Sequence, residues 1–113
     1  MRCFVGIDLG STTSKAVVLD EQGRILGRGI TNSRSNYEMA SEVARTEAYV
    51  TARFTLLERD LAERLGGRPQ ADRARLVDAL RRSFRLQQYL TQLASLERFA
   101  EEEIGRASCR ERV

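Results

Sequence analysis

The sequence contains no histidine and no tryptophan, and it has one proline and two cysteines among its 113 residues. The cysteines, Cys3 and Cys109, are too few for a disulfide framework, and without histidine they do not form a zinc site by themselves. No apolar run approaches the roughly 20 residues that cross a bilayer, and the N-terminus lacks the apolar block of a signal peptide. We therefore expect one small cytoplasmic domain that has no membrane partner.

The formal net charge of +3 gives only weak support to a nucleic-acid partner. The last ten residues, 104–113, match the translation of a widely used DNA-sequencing adapter. Setting them aside removes three arginines and one glutamate, and most of the positive balance disappears with them. We predict that residues 104–113 are not native, that residues 1–103 begin a longer protein, and that nucleic acid is not a partner.

Residues 1–36 have the pattern of a β-meander. Three short apolar or alternating stretches, at residues 3–8, 14–20 and 25–31, are separated by turns that contain glycine and small polar residues. Such spacing predicts three antiparallel strands, with Gly23 supplying a positive φ in the second turn.

Residues 37–103 have a helical pattern, and we predict a long helical hairpin there. The apolar face of the first helix is expected to contain Val43, Val50, Phe54, Leu57, Leu61 and Leu65. Ser35 or Asn36 is expected to cap this helix, and Gly66 to end it. A second helix begins near Ala71. Its apolar stripe consists of Leu86, Tyr89, Leu90, Leu93 and Leu96. We expect this stripe to pack on the first helix rather than on a foreign partner, and a truncated chain would leave part of it uncovered.

The segment GIDLGSTTSK, residues 6–15, has the composition of a phosphate-binding hairpin. A strand brings Asp8 to its carboxyl end, and Gly10 lets main-chain N–H groups approach an anion. Lys15 adds a positive charge, and Asp8 can hold Mg²⁺ directly or through water. The hydroxyl donors of the turn are Ser11, Thr12 and Thr13. A plain hairpin with turn-forming residues remains the alternative.

This segment resembles the first phosphate-binding motif of the actin, heat-shock chaperone and sugar-kinase superfamily. Within that superfamily, GIDLGSTTSKAVVLD followed by ILGRGITNSRSNYEMA resembles the ATP-hydrolysing subunits of benzoyl-CoA reductase, with the activators of 2-hydroxyacyl-CoA dehydratases as close relatives. The resemblance implies an α/β fold, namely the N-terminal part of a ribonuclease-H-like (actin-like) ATPase domain.

The same resemblance implies MgATP as a ligand, with Asp8 at the Mg²⁺ ion or the catalytic water and Lys15 at a phosphate. The implied phosphate-loop residues are Gly10, Ser11, Thr12 and Thr13. It further implies a [4Fe-4S] cluster shared between paired ATPase subunits, with ligands outside this chain. Ferredoxin as electron donor, reductase subunits as partners, and a role in anaerobic aromatic degradation are implied as well. Cys3 is expected to be a small buried hydrophobe.

Two other functions remain open at this point. One is a sugar or acid kinase of the same superfamily, and the other is an actin-like or chaperone-like scaffold that uses ATP as a switch. The stretch TNSRSNY, residues 31–37, and the helical insertion after it favour the reductase branch. We predict that the 113-residue chain has no ATPase activity of its own, because its hairpin supplies one wall of a larger site.

Overall fold

The computed structural model describes residues 1–111. Its elements are β1 (Phe4–Leu9), β2 (Thr13–Leu19), β3 (Ile25–Asn32), α1 (Tyr37–Arg64) and α2 (Gln70–Glu111). The strands form one antiparallel sheet in the order β1-β2-β3, which confirms the predicted meander followed by two long helices. The chain divides into two compact units, Met1–Arg73 and Ala74–Val113. Residues 112 and 113 of the predicted adapter-encoded tail lie outside the described residues.

The ends of α1 follow the sequence signals. The side chain of Asn36 accepts a hydrogen bond from the N–H of Met39 at 2.9 Å, so Asn36 caps the helix as predicted. At the other end, the N–H of Leu65 donates to the carbonyl of Leu61 at 2.8 Å, one residue before Gly66. Capping at both ends fixes where the helix begins and ends relative to β3.

The face of α1 that packs on the sheet differs from the predicted one. Its buried residues are Ala40, Ala44, Ala48 and Ala52, and the last three form a core with Ala16, Val18 and Leu26. Val43, which the spacing of large apolar residues had assigned to the buried face, is 48% exposed. The other five residues of the predicted face are half-buried, namely Val50, Phe54, Leu57, Leu61 and Leu65. The prediction was therefore wrong for Val43, and the reason that alanines occupy the fully buried positions lies in β3.

Two glycines of β3 bring the main chain of α1 unusually close to the sheet. A Cβ atom at Gly29 would overlap the carbonyl of Ala44 and lie 2.8 Å from the nitrogen of Ala48. A Cβ atom at Gly27 would overlap main-chain atoms of Ala48 and Ala52. Only small residues fit between a helix and a strand at this separation, so alanines face the sheet and larger side chains flank the contact.

The carboxylate of Asp20 organises the turn between β2 and β3. Its Oδ1 accepts the N–H groups of Gln22 at 3.0 Å and Arg24 at 2.8 Å, and its Oδ2 accepts Nε of Arg24 at 2.8 Å. Gly23 has the predicted positive φ, 75°, and its N–H donates to the carbonyl of Asp20. Burial by itself raises the pKa of Asp20, but the hydrogen bonds from Arg24 and Gln22 outweigh it and hold this pKa below the ordinary aspartate value.

We therefore predict acid destabilisation that depends on Asp20. Because its pKa is lower in the folded chain, the unfolded chain binds the proton first, and the stabilisation present above about pH 4 is lost as the pH falls. Urea unfolding at about pH 6 and about pH 3 should show a smaller difference in Asp20→Asn than in the wild type. Asp78→Asn, on an exposed helical position, is the control. An unchanged pH dependence in Asp20→Asn would contradict the prediction.

Two further predictions about side-chain burial were wrong. The stripe of Leu86, Tyr89, Leu90, Leu93 and Leu96 is 51 to 62% exposed, so these side chains are not covered as expected. Cys3 is exposed rather than buried, since it precedes β1, an edge strand with six exposed residues.

In the predicted tail, α2 continues to Glu111 and Ile104 is 70% exposed. No helix within residues 1–111 has the length and apolarity to cross a membrane.

Candidate functional site

The turn between β1 and β2 is tight and requires glycine at its start. The N–H of Gly10 donates to the carbonyl of Thr13 at 3.0 Å and closes the turn. A Cβ atom at Gly10 would lie 2.5 Å from that carbonyl oxygen. The close approach of the two main-chain segments therefore excludes any larger residue at this position, which is a different reason for glycine from the anion approach expected from the sequence.

The two charged residues of the motif are direct cross-strand partners. Asp8 in β1 pairs with Lys15 in β2, and residues that pair in this way point to the same face of a sheet. Ser14 and Ala16 are buried beneath α1, so the alternation of the strand turns Lys15 to the opposite, uncovered face. Asp8 and Lys15 are both exposed there, and they border an open depression that Arg28 of β3 also lines.

The turn itself presents unused hydrogen-bond donors. Within residues 1–111, the hydroxyls of Ser11, Thr12 and Thr13 make no hydrogen bond, and neither do the main-chain N–H groups of Ser11 and Thr12. Helical threonines behave differently, since the hydroxyls of Thr51 and Thr91 donate to main-chain carbonyls four residues earlier. The turn therefore offers a cluster of free N–H and O–H donors, which is the chemistry that a phosphate group requires.

Two buried serines support this turn from within the protein. Ser14 and Ser33 are 0% and 1% exposed, and their hydroxyl oxygens lie 2.8 Å apart. Ser33 also donates from Oγ to the carbonyl of Gly10 at 2.6 Å and from its N–H to the carbonyl of Thr12 at 2.9 Å. The sequence analysis missed both serines. The available signal was a polar residue at position 14, on the strand face that otherwise carries Ala16 and Val18.

Arg34 follows Ser33 in an unusual backbone conformation. Its φ is 49°, the one positive φ of a non-glycine residue within the described part of the chain. For a residue with a side chain this conformation is energetically unfavourable, so the surrounding contacts must maintain it. The strained residue lies between the end of β3 and the cap of α1, beside the serine that holds the turn.

The residues of this chain fit Mg²⁺ with phosphate better than they fit a protein-only metal site. No group of three His, Cys, Asp or Glu side chains that could hold a metal ion occurs within residues 1–111. Mg²⁺ commonly binds through one or two carboxylates together with substrate phosphates and water, so Asp8 beside the turn is sufficient. A [4Fe-4S] cluster needs four thiolates and the sequence has two cysteines, so this chain by itself does not supply the ligands of such a cluster.

The structure brings all six predicted site residues onto one hairpin, while their binding roles remain predictions. The predicted list is Asp8, Gly10, Ser11, Thr12, Thr13 and Lys15. No curated protein and no solved structure matches the chain. A family model does match, over residues 5–96, and this range contains all of the sheet except Phe4, together with α1. On that match, the chain belongs to the BadF/BadG/BcrA/BcrD ATPase family.

Proposed function

We propose that the hairpin between β1 and β2 binds the phosphates of MgATP for hydrolysis. The observation that supports this most directly is the cluster of free donors at residues 11–13, located beside Asp8 and Lys15 in a chain of an ATPase family. In this proposal the N–H groups of Ser11 and Thr12 hold phosphate oxygens, and the nearby hydroxyls add further donors. Lys15 compensates the phosphate charge from the adjacent strand.

Asp8 is the proposed residue for the metal or the water. When bound, Mg²⁺ neutralises phosphate charge and polarises the phosphoryl group. The carboxylate of Asp8 orients the ion directly, or through one of its waters, or it accepts a proton from the attacking water. Each of these roles acts on the hydrolysis step more than on the binding of the phosphates.

The residues described here form one wall of such a site. A hydrolytic site also needs an adenine pocket and an opposite phosphate-binding wall, which other protein residues must supply. For this reason we expect the 113-residue chain to bind MgATP weakly and to release no phosphate above background by itself.

More specifically, we propose that ATP hydrolysis by this protein drives the transfer of low-potential electrons in a benzoyl-CoA-reductase-type complex. The support is the family match together with the stretch at residues 31–37. In this proposal a paired ATPase subunit and residues outside this chain hold the [4Fe-4S] cluster, ferredoxin donates the electrons, and reductase subunits receive them. Copurification with a reductase subunit tests this assignment. Copurification with a sugar or acid kinase activity instead would contradict it.

The phosphate-binding proposal has a direct test in the 113-residue chain. Amide proton–nitrogen correlation spectra recorded during a titration with MgATP should show shifts concentrated at residues 8–15. Magnesium with adenosine, which has no phosphate, is the control and should leave these resonances in place. Equal shifts with adenosine, or MgATP shifts confined to other residues, would contradict phosphate binding at this hairpin.

Asp8→Asn is expected to separate binding from hydrolysis. In the assembled ATPase this variant should bind MgATP within a fewfold of the wild type, because amide and carboxylate have the same shape. Its phosphate release should fall by about 100-fold or more, as general acid–base catalysis typically contributes about 10² to 10⁴-fold. Calorimetry and steady-state phosphate assays provide the two measurements. Equal losses of affinity and turnover would contradict the expectation that Asp8 acts mainly on the hydrolysis step.

A further inference from the structure

We propose that Ser33 is a positioning residue for the phosphate loop, one that orients the loop's main chain toward the ligand. The inference rests on the proposed phosphate-binding function and adds a residue that lies outside the motif. Ser33 is located 23 residues after Gly10 in the sequence, and it is hydrogen-bonded to the main chain of the turn at two points.

The two hydrogen bonds of Ser33 lie on either side of the tip of the turn. Its hydroxyl donates to the carbonyl of Gly10 at 2.6 Å, and its N–H donates to the carbonyl of Thr12 at 2.9 Å. Ser11 is the residue between these two anchored carbonyls. The main chain on both sides of Ser11 is therefore held by a single buried residue.

Anchoring the carbonyl of Gly10 also fixes the direction of the next N–H group. In a trans peptide the C=O and N–H bonds point in opposite directions, and the described chain has no cis peptide. Because the carbonyl of Gly10 points inward to Ser33, the N–H of Ser11 points away from Ser33 and out of the turn. Without the hydroxyl, the Gly10–Ser11 peptide loses the hydrogen bond that fixes its orientation, and the direction of this donor is less firmly held.

Ser14 provides a matched comparison for Ser33. It is equally buried, and its hydroxyl contacts that of Ser33 at 2.8 Å, but it makes no hydrogen bond to the turn within residues 1–111. Ser14→Ala therefore removes a buried hydroxyl and leaves the bond from Ser33 to Gly10 in place. A general effect of disturbing the buried serine pair should appear in both variants, and a positioning effect only in Ser33→Ala.

The test compares the wild type, Ser33→Ala and Ser14→Ala as 113-residue chains. Without ligand, the carbonyl carbon resonance of Gly10 should move in Ser33→Ala, since its hydrogen bond is lost, and stay in place in Ser14→Ala. With sodium tripolyphosphate, binding should be about fivefold weaker in Ser33→Ala, the effect of about one hydrogen bond, and within twofold of the wild type in Ser14→Ala. Urea unfolding of both variants shows whether their losses of stability are similar.

The measurements distinguish a failure of the positioning role of Ser33 from a failure of phosphate binding at the hairpin. An unchanged Gly10 carbonyl resonance in Ser33→Ala overturns the positioning role, whether or not any anion binds. Equal weakening of tripolyphosphate binding in the two variants also overturns it. If the wild-type turn binds no tripolyphosphate, phosphate binding at the hairpin fails, and the positioning role for a phosphate site fails with it. If the Gly10 resonance still moves in Ser33→Ala in that case, Ser33 orients the main chain of a turn that does not bind phosphate.

Discussion

Gly29→Ala is expected to disrupt the packing of α1 on the sheet and to unfold much of the chain. A Cβ atom at this position would overlap the carbonyl of Ala44, which belongs to the main chain of a helix and is not able to rotate away. Overpacking a rigid core contact typically costs about 1–3 kcal/mol and sometimes more. We expect a loss at or above the top of that range, since α1 must move as a whole to relieve the overlap. Small domains have only about 5–15 kcal/mol of stability in total.

Two glycines of this chain serve as matched controls for that substitution. A Cβ atom at Gly67, between the helices, or at Gly105, within α2, would have no heavy atom within 4 Å. Gly67→Ala should be close to neutral, and Gly105→Ala should stabilise the helix by up to about 1 kcal/mol. Urea unfolding followed by circular dichroism measures all three variants. If Gly29→Ala has the same midpoint as Gly67→Ala, the close contact between β3 and α1 does not exist in solution.

The contact between Gly29 and Ala44 also explains which parts of the fold were predictable from the sequence. Strand alternation, the turn at Gly23 and the cap at Asn36 depend on neighbouring residues, and these signals correctly predicted the elements. The buried face of α1 depends instead on how closely the helix approaches β3. Counting large apolar residues favoured Val43, whereas the glycines of the strand select the alanine face.

The same distinction applies to the candidate site. Asp8 and Lys15 belong to one hairpin, so their spacing in the sequence was enough to predict that they lie together. Ser33 reaches the turn only because β2 and β3 pair in a register that brings it opposite Thr12. That register is a property of the assembled sheet, and a one-residue slip would place Ser33 elsewhere. The supporting residues of a site are therefore harder to predict than the residues of its motif.

Lys15→Ala is expected to cause the largest loss of nucleotide affinity of any single substitution in the hairpin. Lys15 lies directly across from Asp8 on the uncovered face of the sheet, where the residue is exposed. Hydrogen bonds to charged groups contribute about 1.5–3 kcal/mol, which corresponds to about 10- to 150-fold in affinity. In the 113-residue chain, MgATP at a concentration that shifts the wild-type hairpin resonances should leave those of Lys15→Ala almost unchanged.

Arg28→Ala is the control that separates a specific phosphate contact from the general attraction of positive charge. Arg28 lies on the same face of the sheet, two residues from Ile30, the β3 residue that pairs with Lys15. Removing either side chain lowers the positive charge of this face by one unit, and at moderate salt the long-range part of that effect is largely screened. Arg28→Ala should therefore keep most of the wild-type MgATP shifts. If the two variants lose affinity equally, the face attracts phosphate through its overall charge and Lys15 makes no direct contact.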